Sequence, residues 1–111
     1  MWAYSTLKSR LEFLKVTYRL NNTIFSESYY LKAGELIFAA ESENAYYNDK
    51  FPSDILNSWS GRYYFSRRKL IDASTFGHGK SEADDWNPKK ETLARLTARL
   101  KQLRRKLKSE R

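Results

Sequence analysis

Residues 77–81 read Gly-His-Gly-Lys-Ser, a run in which loop amides, an ammonium and a hydroxyl could gather around a phosphate. A phosphate loop of that kind needs a further glycine, four residues separating it from the Gly-Lys-Ser, so that the chain wraps the anion. Ser74 stands there instead, no apolar strand precedes the run, and 111 residues are too few for a nucleotide-binding α/β sheet. The segment reads as a flexible glycine loop. His78 is the only histidine and there is no cysteine. Thiolate zinc sites, disulfides, a cysteine nucleophile and a His-rich metal centre are therefore excluded. Glu82, Asp84 and Asp85 carry the right oxygens for Mg²⁺, but carboxylates beside a helix start are accounted for by its positive dipole end. No constellation for acid–base or covalent catalysis stands out. The expectation is a protein that is not an enzyme and uses no metal or cofactor.

The chemistry that remains is ionic. Residues 89–111 hold ten Lys/Arg against Glu91 and Glu110, a net +8 that equals the charge of the whole chain. The preceding residues balance at eleven charges of each sign. The excess belongs to one segment, and a pI near 9.8 makes nucleic acid the default partner class. Within that segment Leu93, Leu96, Leu100, Leu103 and Leu107 recur at 3-4-3-4 spacing, one face of an α-helix. Asn87 suits its cap and Pro88 its first turn. The candidate phosphate contacts are Lys89, Lys90, Arg95, Arg99, Arg104, Arg105, Lys106 and Lys108. The leucine stripe asks for an apolar partner: the protein's own core, an acidic protein, or a second copy. A parallel zipper would set Arg99 against Arg104, like against like, which disfavours the homodimer.

The elements that would position these groups read as helical. Leu7, Leu11, Leu14 and Tyr18 give a 4-3-4 spacing over residues 3–20, closed by Asn21-Asn22. A second helix is expected from about Ser26 to Ser42, with Tyr30, Gly34, Ile37 and Phe38 on one face. Tyr46 to Asp49 reads as a turn, followed by Phe51-Pro52. A short helix from Asp54 to Ser58 or Trp59, a break at Ser60-Gly61 and a longer helix over Arg62 to Ser74 complete the body. That last helix carries three consecutive basic residues, Arg67, Arg68 and Lys69; with Tyr63, Ser66, Leu70 and Ala73 facing the core, Arg62, Phe65, Arg68 and Lys69 would face out. Thr75 to Trp86 reads as a loop. The expected fold is all-α, or α with a minimal β wing: a helix-turn-helix-like body over 1–76, a linker or rudimentary wing at 77–87, and a basic helix at 88–111.

Residues 44–76, NAYYNDKFPSDILNSWSGRYYFSRRKLIDASTF, resemble the helix-turn-helix of winged-helix domains in phage and plasmid replication initiators, the replisome organisers. The likeness lies in an Asn with aromatics before a Phe, a short helix, a Ser/Gly turn and a helix with clustered Arg/Lys closing on Leu-Ile-Asp-Ala. It implies that Arg62 to Ala73 is similar to a recognition helix, with Arg62, Tyr64, Phe65, Arg68 and Lys69 approaching DNA. The function so implied is a DNA-binding regulator or replication factor, with RNA as a variant ligand. The competing reading is a small phage-type protein that binds or inhibits a protein or ribonucleoprotein complex, such as an anti-CRISPR-like factor. The exposed aromatics Tyr4, Tyr46, Tyr47, Trp59, Tyr64 and Trp86 would suit either. With no signal-peptide pattern and no long apolar run, the expected setting is the cytoplasm, without a membrane.

Overall fold

The computed structural model describes residues 1–47 and 54–109. Among these residues six antiparallel strands, β1 (Trp2–Leu7), β2 (Arg10–Leu20), β3 (Thr23–Lys32), β4 (Glu35–Tyr46), β5 (Ile55–Ser66) and β6 (Lys69–Gly77), form one sheet in sequence order. A 3₁₀ turn over Lys80–Glu82 leads to α1 (Pro88–Ser109), the one α-helix among the described residues, which packs on one face of that sheet. The opposite face carries no covering element among the described residues.

The all-α expectation is overturned. The spans read as helices over 3–20, 26–42 and 62–74 are β-hairpins and strands, and Asp54 to Trp59 leads into and begins β5. The helix-turn-helix and winged-helix layout falls with them, because Arg62 to Ser66 closes β5, Arg67-Arg68 is a turn and Lys69 opens β6. Ser60-Gly61 lies inside β5 and is no break. Asn48, Asp49, Phe51 and Pro52 of the expected turn lie outside the described residues.

The periodicity misled for a physical reason. Three hairpins close through two-residue turns with positive φ at both positions: Lys8-Ser9 (51° and 66°), Ala33-Gly34 (52° and 83°) and Arg67-Arg68 (50° and 66°). These are type I′ turns, whose twist matches that of the strands they join. A few residues beyond each turn the register slips by one, leaving Glu12, Ile37 and Ile71 as the extra residues of three β-bulges. A bulge turns the strand period of two into a spacing of three. Leu11 and Leu14, or Leu36 and Ala39, then share the helix-side face three residues apart, as they would on a helix.

Elsewhere the alternation is regular. Leu14 and Val16 on β2, Tyr29 and Leu31 on β3, Leu36 and Ala39 on β4, and Trp59, Tyr63 and Phe65 on β5 are buried on the helix side. Against them α1 buries Leu96 and Leu103, with Leu93, Leu100 and Leu107 packed alongside. The leucine stripe is thus spent on the protein's own sheet. Asn87 caps the helix, its Oδ1 accepting from the Lys90 amide at 3.1 Å, while Glu91 accepts from the Asn87 amide at 2.8 Å. The helix starts over β5, where Trp86 meets Tyr63 with centroids 6.3 Å apart, and crosses toward β2, where Arg99 lies 5.3 Å over Tyr18.

Gly61 makes this packing fit. A Cβ there would overlap the Tyr63 hydroxyl, and both residues are buried. Gly61→Ala is expected to destabilise the fold by about 1–3 kcal/mol through overpacking. Urea denaturation checks this: the midpoint should fall with an unchanged slope, and an unmoved midpoint would mean the Tyr63 ring has room that the structure denies it.

Candidate nucleic-acid interface

Two buried glutamates stand on the apolar side of the sheet. Glu27 and Glu41 are direct cross-strand partners on β3 and β4, and only 4% and 8% of each is exposed. A buried carboxylate pair repels and loses hydration, so it needs compensation in place. The helix supplies it. Arg99 meets Glu27 with a two-point contact, Nε to Oε1 at 2.9 Å and NH2 to Oε2 at 2.6 Å. Arg95 donates to Glu41 Oε2 at 3.2 Å and to the Tyr29 hydroxyl at 3.3 Å. The Tyr29 and Tyr63 hydroxyls donate to Glu27 and Glu41, each at 2.6 Å. Lys80, from the loop before the helix, pairs with Glu41.

The titration behaviour follows the geometry. Burial raises the Glu27 pKa, but the hydrogen bonds from Arg99 and Tyr29 and the two guanidinium charges outweigh it and hold the carboxyl below its ordinary 4.5. Burial, together with the carboxylates they serve, pushes Tyr29 and Tyr63 well above the usual phenol range. Burial weakens the hold of Arg95 on its proton, but Glu41, Tyr29 and Glu27 together more than restore it and leave its pKa raised; Arg99 is raised chiefly by its hydrogen bond to Glu27. Each of these side chains is paired, and the arrangement serves as a latch between helix and sheet.

The glycine loop belongs to the same latch. Gly79 lies against the Trp59 indole, where a Cβ would stand 2.6 Å from the ring. Trp59 Nε1 donates to Ser81 Oγ at 2.9 Å and Lys80 sits 5.2 Å over the ring. The loop read from sequence as free is docked at Gly79, Lys80 and Ser81. His78 meets Glu82 at 2.5 Å, both exposed. Among the described residues no three His, Cys, Asp or Glu gather as a metal site, and no helix is long and apolar enough to cross a membrane.

The expected contact residues do not form one surface. Arg95 and Arg99 point inward and are consumed by the latch. Lys89, Lys90, Lys101, Arg104, Arg105, Lys106 and Lys108 are exposed on the outer side of α1. Phe65 is 4% exposed, a core residue of the helix-side face. Arg62 and Tyr64 alternate with it and face the open side, away from α1. Arg68 and Lys69 stand at the tip of the β5–β6 hairpin. Sequence reasoning missed Glu27, Glu41 and Lys80. The signal was present as an acid breaking an alternating apolar run, in Glu27-x-Tyr29-x-Leu31. Comparison of the chain with protein-family models, with curated proteins and with solved structures gives no match.

Two outcomes follow from the latch. The folded carboxyl of Glu27 titrates below its unfolded value, so its contribution is complete above about pH 4.5 and is lost as pH falls through the lower folded value. Thermal melting should show a decline in stability below that pH, and Glu27→Gln should melt lower at neutral pH yet lose less on acidification. Arg99→Ala, which strands a buried carboxylate, should cost about 3–5 kcal/mol. Lys101→Ala, two residues further on and on the exposed side, should stay within about 0.5 kcal/mol, both measured by urea denaturation.

Proposed function

We propose that the chain is a non-catalytic nucleic-acid-binding protein that holds phosphates along the outer side of α1. One observation carries this. The inward cations Arg95, Arg99 and Lys80 are each matched to a carboxylate, whereas Lys89, Lys90, Lys101, Arg104, Arg105 and Lys108 have no ionic partner among the described residues. Lys101, Arg104, Arg105 and Lys108 follow i, i+3, i+4, i+7 spacing and make a continuous stripe. The latch fixes the roll of the helix about its own axis, so the stripe is held outward. Such a surface reads charge, not sequence, and gains affinity by releasing counterions.

Fluorescence anisotropy of a labelled oligonucleotide over a salt series tests the reading. The log of the affinity should fall linearly with the log of salt concentration. Replacing Lys101, Arg104, Arg105 and Lys108 by Ala should flatten that slope by about 3, since each lost phosphate contact removes roughly 0.7–0.9. No binding at low salt, or a slope the four substitutions leave unchanged, would overturn it. Binding only to an acidic protein would favour the competing protein-interaction reading.

A further inference from the structure

The open face of the sheet has an order of its own. Registered across the strands, Phe13, Tyr30, Phe38 and Tyr64 form one row. Their centroids lie 4.9, 5.6 and 4.9 Å apart and successive planes are tilted by about half a right angle. The next row is Lys15, Ser28, Ala40, Arg62 and Ser74, and the one after it Thr17, Ser26, Ser42, Ser60 and Phe76. An aromatic wall therefore borders a floor of small, mostly hydroxyl-bearing side chains. Two adjoining grooves run over that floor, one of about 440 Å³ lined by Ser60, Arg62, Ser74, Thr75 and Phe76. The other, of about 190 Å³, shares Ser60 and Arg62 with it.

Glu41 also lines the second groove, but it is neutralised by Lys80 and Arg95, and the unpaired charge on these rows is cationic. Lys15 and Arg62 are exposed, and neither has an ionic or hydrogen-bonded partner among the described residues. They stand three strand spacings apart, about 14 Å. The one acid in these rows from β2 to β6 is Asp72, at the end of the aromatic row, and its carboxylate accepts from the Ala73 amide. Tyr30 and Tyr64 are 41% and 45% exposed, and Phe76 is 80% exposed at the far end of the floor.

We propose that this face binds single-stranded nucleic acid, with Lys15 and Arg62 on phosphates and Phe76, Tyr64 and Tyr30 as surfaces on which bases stack. The inference goes beyond the helix stripe, which lies on the other side of the molecule, and it rests on the same reading that the ligand is a nucleic acid. Two unpaired cations flanking small hydroxyl side chains suit a phosphodiester backbone. Rings beside that track suit unstacked bases, because every base presents a π-face. A duplex hides those faces, so this surface discriminates single from double strands where the helix stripe does not.

The test compares labelled oligothymidylate, a duplex of matching length and a heparin fragment, each titrated with wild type and with the Arg62→Ala/Phe76→Ala variant. Both substituted side chains are exposed, and thermal melting verifies that the variant is folded. The expected result is that the double variant loses about tenfold or more in affinity for oligothymidylate and keeps its affinity for the duplex. An equal loss on both, or a loss on neither, overturns the open-face site while leaving helix-borne binding in place. Heparin binding reduced as much as oligothymidylate would show a charge patch without base stacking and also overturn it. If no nucleic acid binds even the wild type, the proposed function fails together with this site.

Discussion

A cross-strand pair of buried carboxylates, Glu27 and Glu41, is the constraint around which the rest of the molecule is arranged. Alone, such a pair would split the sheet or take up protons. Its presence means that cations must be delivered from above the sheet at two defined points, and the helix carries Arg95 and Arg99 at the required i, i+4 interval. The docking loop adds Lys80 to the same carboxylate that Arg95 reaches. Leucine burial on α1 would be satisfied by a range of helix rotations, since apolar attraction has no direction. The ion pairs do have direction, and they select one rotation. The exterior of the helix follows from that choice, because the rotation decides which of its cations are spent and which are left facing solvent.

Much of the C-terminal helix is legible in the sequence: an Asn-Pro start, five leucines on one face and an Asp/Glu-poor, Lys/Arg-rich remainder. The sheet is not. Leu11, Leu14 and the bulged Glu12 produce a helical-looking interval from strand geometry, and Leu36, Ile37 and Ala39 repeat the effect. Lys8-Ser9 and Arg67-Arg68 turn without a glycine or asparagine, so the strongest short-range hairpin signal is missing from two of the four two-residue hairpin turns among the described residues. For the candidate site, the charge of Arg95 and Arg99 is visible in the chain, but their direction is not. It depends on two glutamates more than fifty residues away, brought near only by the meander. Arg62 and Tyr64, placed by resemblance on a recognition helix, end on an open sheet face through simple alternation with the buried Tyr63 and Phe65.

The two cationic surfaces are therefore separated by the molecule itself, whose shortest extent is 20 Å. One is a convex rod of ammonium and guanidinium groups, suited to phosphates and indifferent to bases. The other is a shallow, hydroxyl-floored track with rings alongside and two unpaired cations. They share no residue, which is why their contributions can be separated by substitution. A single helix-turn-helix surface, joining the Arg67–Lys69 segment to the basic helix, has no counterpart in this architecture.

The most direct measurement of the central claim is native-state hydrogen exchange of the α1 amides between Arg95 and Leu103. If Glu27 and Glu41 clamp the helix to the sheet, those amides exchange only through global unfolding, with the same opening free energy as amides of β3 and β4. Exchange of the helix at a markedly lower free energy, with β3 and β4 still protected, would contradict the account and show a helix that leaves the sheet on its own.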